Sequence, residues 1–306
     1  MGKIKVRLFN KFSIESNGFL IPKLETRKAE ELLGYLLINR NSSHTRERLA
    51  DILWKGEISP EQSKGYLRKA LWQLQSRLEQ HSAQDMIFID GEWLQINAQF
   101  EYWLDVAIFE DAFKNTQGIK GSDLNQKQFQ SIKFAVENYK GDLLDGWYQE
   151  WCTYERERLQ HFYLSMLDKL MDYCEANKKF EDGLVYGHLI LRYDHARERT
   201  HRRLMKLYYL SGNRTAALRQ YERCILALHE ELDVEPADST RSLKELIAND
   251  QLKYEINPIQ VDQKKKDSLL HLSHYLTAIQ RDLGNIQANL KRDIRAIQKD
   301  LNERQL

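Results

Sequence analysis

A chain of 306 residues with 42% hydrophobic content has material for two domains with packed cores. Its three cysteines, Cys152, Cys174 and Cys224, lack C-x-x-C spacing, which argues against a disulfide frame or a zinc site and fits buried small hydrophobes on helices. The formal net charge is only +1, yet residues 1–81 hold 15 Lys/Arg against 9 Asp/Glu, so the N-terminal part is basic while the whole is not.

The chain opens with Ile4, Val6 and Leu8 alternating against Lys3, Lys5 and Arg7, a half-buried strand with a basic outer face. Phe12 and Ile14 continue the pattern, and Asn17-Gly18 reads as a hairpin turn. Thr26 is expected to cap a helix through about Asn39, with Leu32, Leu33, Leu36 and Leu37 on its core side. Thr45 caps a second helix through about Trp54, burying Leu49, Ile52 and Leu53. The third start is the best marked: Ser59 as N-cap, Pro60 in the first turn and Gln62 completing a capping box. From there Leu67, Leu71, Leu74 and Leu78 form one buried stripe. Gln62, Gly65, Arg68, Lys69, Trp72, Gln73 and Ser76 fall on the opposite side, and these are residue types that reach phosphates and base edges in a major groove. Met86 to Ile89 and Trp93 to Ile96 then flank Asp90-Gly91, read as a two-residue hairpin turn. The plain alternative for this stretch is an ordinary amphipathic helix beside an ordinary hairpin.

Small sheet, three helices and hairpin is the order of the winged helix-turn-helix that resembles the DNA-binding domain of OmpR/PhoB-type response regulators. Arg68 and Lys69 are the first choices for DNA contact on its recognition helix, with Gln73 next as an adenine reader. Arg27, Lys28, Arg46 and Arg48, near the starts of the two preceding helices, are candidates to clamp phosphates. Asp90 and Glu92 make the wing tip acidic, which speaks against a phosphate grip there. Trp93 is expected to pack under the hairpin.

From about Phe100 to Tyr254 the pattern is helical and repetitive. Leu170-Met171 is followed 34 residues later by Leu204-Met205, and Gly183, Gly187 and Ile190 map onto Ala217, Tyr221 and Cys224 at the same offset. That period suggests tetratricopeptide-like helix pairs, against the alternative of any antiparallel bundle. After a polar run from Asp262 to Asp267, Leu269, Leu272, Leu276, Ile279, Leu283, Ile286 and Leu290 alternate steps of 3 and 4, and Ile294, Ile297 and Leu301 follow after a stutter. Such a helix calls for a partner; self-association is the first reading, and docking on its own repeats or on another protein is the rival.

Several motifs share one origin. Tyr139 to Leu144, then Trp151, Glu155-Arg156 and Leu159, resemble the start of a bacterial transcriptional activation domain. His201 to Met205, Ala217 to Arg223 and Glu230 to Pro236 resemble its later parts, and Leu104 to Glu110 resembles its junction with a winged helix. Over about residues 4–250 the chain thus resembles the Streptomyces antibiotic regulatory protein family. The resemblance implies a sequence-specific transcriptional regulator, usually an activator, which binds repeated sites in double-stranded promoter DNA and contacts RNA polymerase or its sigma factor.

The expected architecture is mainly α: a winged-helix domain with a small β-sheet over 1–98, a TPR-like helical repeat domain over 99–255, a linker over 256–268 and a coiled-coil oligomerisation or docking helix over 269–304. No phosphate-binding G-x-x-x-x-G-K-[ST], dinucleotide G-x-G-x-x-G or nucleophile set is present, so neither an enzyme nor a cofactor is expected. His271 and His274 share a helix face without a Cys or carboxylate at ligand spacing, and no metal is expected. The lack of a signal peptide or membrane-length apolar run predicts a cytoplasmic protein without membrane contact. The rival function is a protein-interaction scaffold whose winged helix does not read DNA.

Overall fold

Alternation makes the first strand two-faced: Ile4, Val6 and Leu8 are fully buried while Lys5 and Arg7 stay partly in solvent. The computed structural model describes residues 4–22, 24, 26–54 and 58–252. In chain order these form β1 (Ile4–Arg7), β2 (Ser13–Ser16), β3 (Phe19–Leu20), α1 (Arg27–Ile38), β4 (His44–Thr45), α2 (Arg46–Leu53), α3 (Pro60–Glu79), β5 (Ile87–Asp90), β6 (Trp93–Ile96) and β7 (Tyr102–Leu104). Seven helices follow: α4 (Asp105–Lys114), α5 (Gln126–Asn138), α6 (Glu150–Ala176), α7 (Phe180–Leu191), α8 (Glu198–Leu210), α9 (Arg214–Leu232) and α10 (Asp238–Ala248). The coiled-coil expectation for Leu269 to Leu301, and that for His271 and His274, lie outside the described residues.

The first sheet runs β3-β2-β1-β7. Asn17 and Gly18 both take positive φ, 52° and 85°, as the tight turn between β2 and β3 requires. The last member was not foreseen. Tyr102–Leu104 lies in the stretch read as helical, yet it pairs with β1 in parallel, Val6 opposite Leu104. A parallel pairing needs a long crossover, and α1 to α3 with the wing supply it.

The second sheet, β4-β6-β5, is the wing. Its turn sits one residue later than expected: Asp90 pairs with Trp93, so Gly91 and Glu92 are the central pair, with Gly91 at φ 56°. Ladder pairing carries one residue further than propensity suggested, and glycine takes the first central position where a left-handed φ is needed. Trp93 also departs from expectation. Leu94 and Ile96 point into the core, so Trp93 stands on the outer face and is 51% exposed.

The three helices of the winged region bury the residues their periodicity named: Leu32, Leu33, Leu36 and Leu37 on α1, Leu49 and Leu53 on α2, and Leu67, Leu71, Leu74 and Leu78 on α3, with Ile52 partly buried against them. Downstream, α6 ends and α7 begins 34 residues before α8 ends and α9 begins, so the sequence offset is a repeat of helix pairs. Small residues set the spacing between pairs. A Cβ on Gly187 would lie 2.5 Å from Leu204 Cδ2 and 3.0 Å from Met171 Cε. All three cysteines are free and buried in these helices, and burial pushes the thiols of Cys152 to about 11 and of Cys174 and Cys224 to about 12.

The segments 1–98 and 99–252 share one continuous core and belong to one compact unit. The joint is built around Asp105, whose buried carboxylate accepts the backbone N–H groups of Leu8 (2.9 Å), Phe9 (3.0 Å) and Val106 (2.8 Å). Burial pushes this carboxyl above the usual range while the three amides pull it back. The strap 142–147 closes the joint, with Leu144 N–H donating to the Leu8 carbonyl at 2.8 Å. Arg156 holds the strap from α6 by donating to the carbonyls of Leu143, Leu144 and Trp147 at 3.0, 3.2 and 3.0 Å. Trp147 in turn lies on α1 at Gly34, where a Cβ would come within 3.1 Å of its ring.

Candidate nucleic-acid interface

The start of α3 carries the reciprocal cap read from sequence: Ser59 Oγ accepts from Gln62 N–H, and the Gln62 side chain accepts from Ser59 N–H. That cap, the proline in the first turn and the leucine stripe fix a twenty-residue helix with one face to the core. Its other face is open. Gln62, Arg68, Lys69 and Trp72 are exposed, Gly65 and Ser76 partly so, and Trp72 is 65% exposed despite its size. No hydrogen bond or ion pair engages Arg68 or Lys69 among the described residues.

Gly65 sits in the middle of that face. A Cβ there would meet nothing within 4 Å, so no neighbour among the described residues requires the glycine. Tyr66, which the periodicity argument passed over, is half exposed beside it with its ring 6.2 Å from that of Trp54. An aromatic off the leucine stripe was the available signal.

The helix is held on both flanks. Lys64 pairs with Glu47 of α2 at 3.1 Å, and this contact raises the lysine pKa. Thr45 caps α2 through Arg48 N–H. The wing is tied to the same place, because Arg46 N–H donates to the Glu92 carbonyl at 2.9 Å and its Nε to that of Gly91 at 3.2 Å. At the wing root His44 is buried edge-on to Tyr35, 5.2 Å between ring centres, with its pKa lowered by burial first and by Arg48 second.

Other expected contacts are spent inside the fold. Gln73 is only 8% exposed, and its Oε1 accepts from the Thr26 hydroxyl at 2.7 Å. Thr26 occupies the N-cap of α1 without capping it, because its side chain is turned to Gln73. The N-terminus of α1 therefore covers a flank of α3 that a helical wheel leaves open. Arg27 donates to the Gly146 carbonyl at 2.6 Å and lies over Trp147, and Lys28 donates to the Leu53 carbonyl at 2.6 Å. Both pair with the buried carboxylate of Glu31. These two cations are engaged at the joint, with Arg27 56% and Lys28 37% exposed at the side chain. Arg46 is partly committed to the wing turn, and Arg48 lies beside the Tyr35 hydroxyl. The face that remains is Gln62, Gly65, Arg68, Lys69, Trp72 and Ser76.

Behind this face, residues 104–248 match the family model of the bacterial transcriptional activator domain. That stretch, just under half of the chain, is similar to the bacterial transcriptional activator domain. The matched stretch takes in the last residue of β7, Asp105 of the joint and all seven helices α4 to α10. Among solved structures, EmbR of Mycobacterium tuberculosis, in complex with a low affinity phosphopeptide, is similar with a TM-score of 0.67 at 17% identity, over 90% of this chain and 72% of that one. That is a likeness of fold. No curated protein matches the chain in sequence. Activator domain and fold agree with the resemblance to transcriptional regulators of the Streptomyces antibiotic regulatory protein type. Among the described residues no helix is long and apolar enough to cross a membrane, and no group of three or more His, Cys, Asp or Glu is placed to hold a metal ion.

Proposed function

We propose that this chain is a sequence-specific DNA-binding transcriptional regulator, an activator in which α3 reads the major groove of promoter DNA. The observation that carries the reading is the outward face of α3. Two cations without an ion pair among the described residues, an exposed tryptophan and a glycine that no described neighbour requires stand on a helix capped at its start and packed against α1 and α2. Exposed arginine and lysine supply phosphate and base contacts, and a missing Cβ lets a partner approach the backbone closely. In this reading the activator domain meets RNA polymerase or its sigma factor. Self-association through Leu269 to Leu301 raises the effective concentration of a second reading head on repeated sites. The protein works in the cytoplasm, by binding and not by catalysis.

One observation favours the scaffold reading: Asp90 and Glu92 place carboxylates at the wing tip, where a phosphate grip needs cations. Selection of the full chain against a random duplex pool, at low and near-physiological salt, separates the two. A regulator recovers a defined motif that survives the higher salt. A scaffold recovers none, or binding that salt abolishes without enrichment.

A further inference from the structure

The cleft where α2 meets the start of α6 has an aromatic lining that the DNA reading does not use. Trp54, Tyr148, Trp151 and Tyr154 line a cavity of about 520 Å³, the size of a small-ligand pocket. Two of these rings are fixed from behind. Trp151 meets Tyr35 edge-on at 5.3 Å and Trp147 at 6.4 Å, while Trp54 has Tyr66 at 6.2 Å and the Lys28 ammonium at 5.6 Å. The other two rings are uncovered. Tyr148 is 87% exposed and Tyr154 65%, and neither makes a hydrogen bond or ring contact among the described residues. Large aromatics left in water over a cavity with rigid aromatic walls are what a bound molecule would cover.

Charge narrows the class of that molecule. Of the two charged residues in the lining, Lys28 is held by Glu31 at 2.8 Å and Glu150 is itself engaged within the chain. An anion finds the ammonium already compensated. A cation finds the Trp54 face already taken by that ammonium. A flat ring without charge loses nothing on the first count, and the Trp151, Tyr148 and Tyr154 rings remain for it to stack on.

We propose that this cleft, lined by Trp54, Trp151, Tyr148 and Tyr154, binds an uncharged planar aromatic small molecule. Because Trp54 also touches Tyr66 of α3, occupancy bears on the flank of the reading helix. Binding is read without DNA, so the site stands or falls apart from the DNA-binding proposal. The test titrates the full chain, its tryptophan side chains labelled with nitrogen-15, with indole, and follows the six indole N–H signals. The expected result is saturable binding that moves the Trp54 and Trp151 signals and leaves Trp72 and Trp93 in place. Tyr148→Ala with Tyr154→Ala is expected to weaken binding about tenfold or more without lowering the melting temperature, because both side chains are exposed. No saturation, shifts spread over all six signals, or undiminished binding by the double variant would overturn the site. Tighter binding of benzoate or tetramethylammonium than of indole would overturn the uncharged class.

Discussion

At Gly65 an added methyl group would touch nothing within 4 Å, yet a glycine inside a helix costs about 0.5–1 kcal/mol relative to alanine. A residue that the fold tolerates at a loss points to a demand from outside the chain. Gly65→Ala is therefore expected to raise stability by about 0.5–1 kcal/mol, read by urea denaturation, while weakening DNA binding. Unchanged binding would remove the glycine from the interface. At this scale the sequence was most legible where a side chain's role is local. The exposed positions Gln62, Arg68, Lys69 and Trp72 followed from helical phase alone. It was least legible where a distant segment intervenes: Gln73 is covered by Thr26, 47 positions away, and Arg27 is claimed by Gly146, 119 positions away. No helical wheel carries either contact.

Among elements, local chemistry again marks what was readable. The Ser59–Gln62 box and the Asn17-Gly18 turn are decided by neighbours in sequence, and both formed as read. The wing turn slipped by one residue because cross-strand pairing, not the Asp-Gly dipeptide, set its register. The 34-residue offset became helix pairs whose ends coincide with that offset, although one repeat uses Gly187 where the other has Tyr221. The glycine lets α7 approach α8 closely. Gly187→Ala places a Cβ 2.9 Å from Leu204 Cγ, and its over-packing outweighs the better helix propensity. The expected loss is about 1–2 kcal/mol in urea denaturation, opposite in sign to Gly65→Ala. Equal effects of the two substitutions would show that packing between these helices does not set the repeat spacing.

Across the whole molecule the winged region and the activator domain form one unit, because β7, Asp105 and the strap 142–147 all return to β1 and its exit. Leu104-Asp105-Val106 and the Tyr139 to Leu144 motif stood out in the sequence, but their meeting at Leu8 and Phe9 is a contact across roughly a hundred residues that no local pattern records. A fragment ending at residue 98 would leave the amides of Leu8 and Phe9 without their acceptor, at about 1–3 kcal/mol each. It is expected to lack a cooperative thermal transition, whereas residues 1–252 should melt as one unit; two separate transitions in the longer fragment would contradict a shared core. Rigid attachment also means that, under the proposed reading, DNA held by α3 would fix the orientation of the helices α4 to α10. The most direct test is the affinity of the full chain for its selected duplex, by fluorescence anisotropy at two salt concentrations, with and without Arg68→Ala and Lys69→Ala together. The account predicts at least a tenfold loss at near-physiological salt and a shallower salt dependence, with the fold intact. Equal affinity and equal salt dependence for the two proteins would show that α3 is not the reading head.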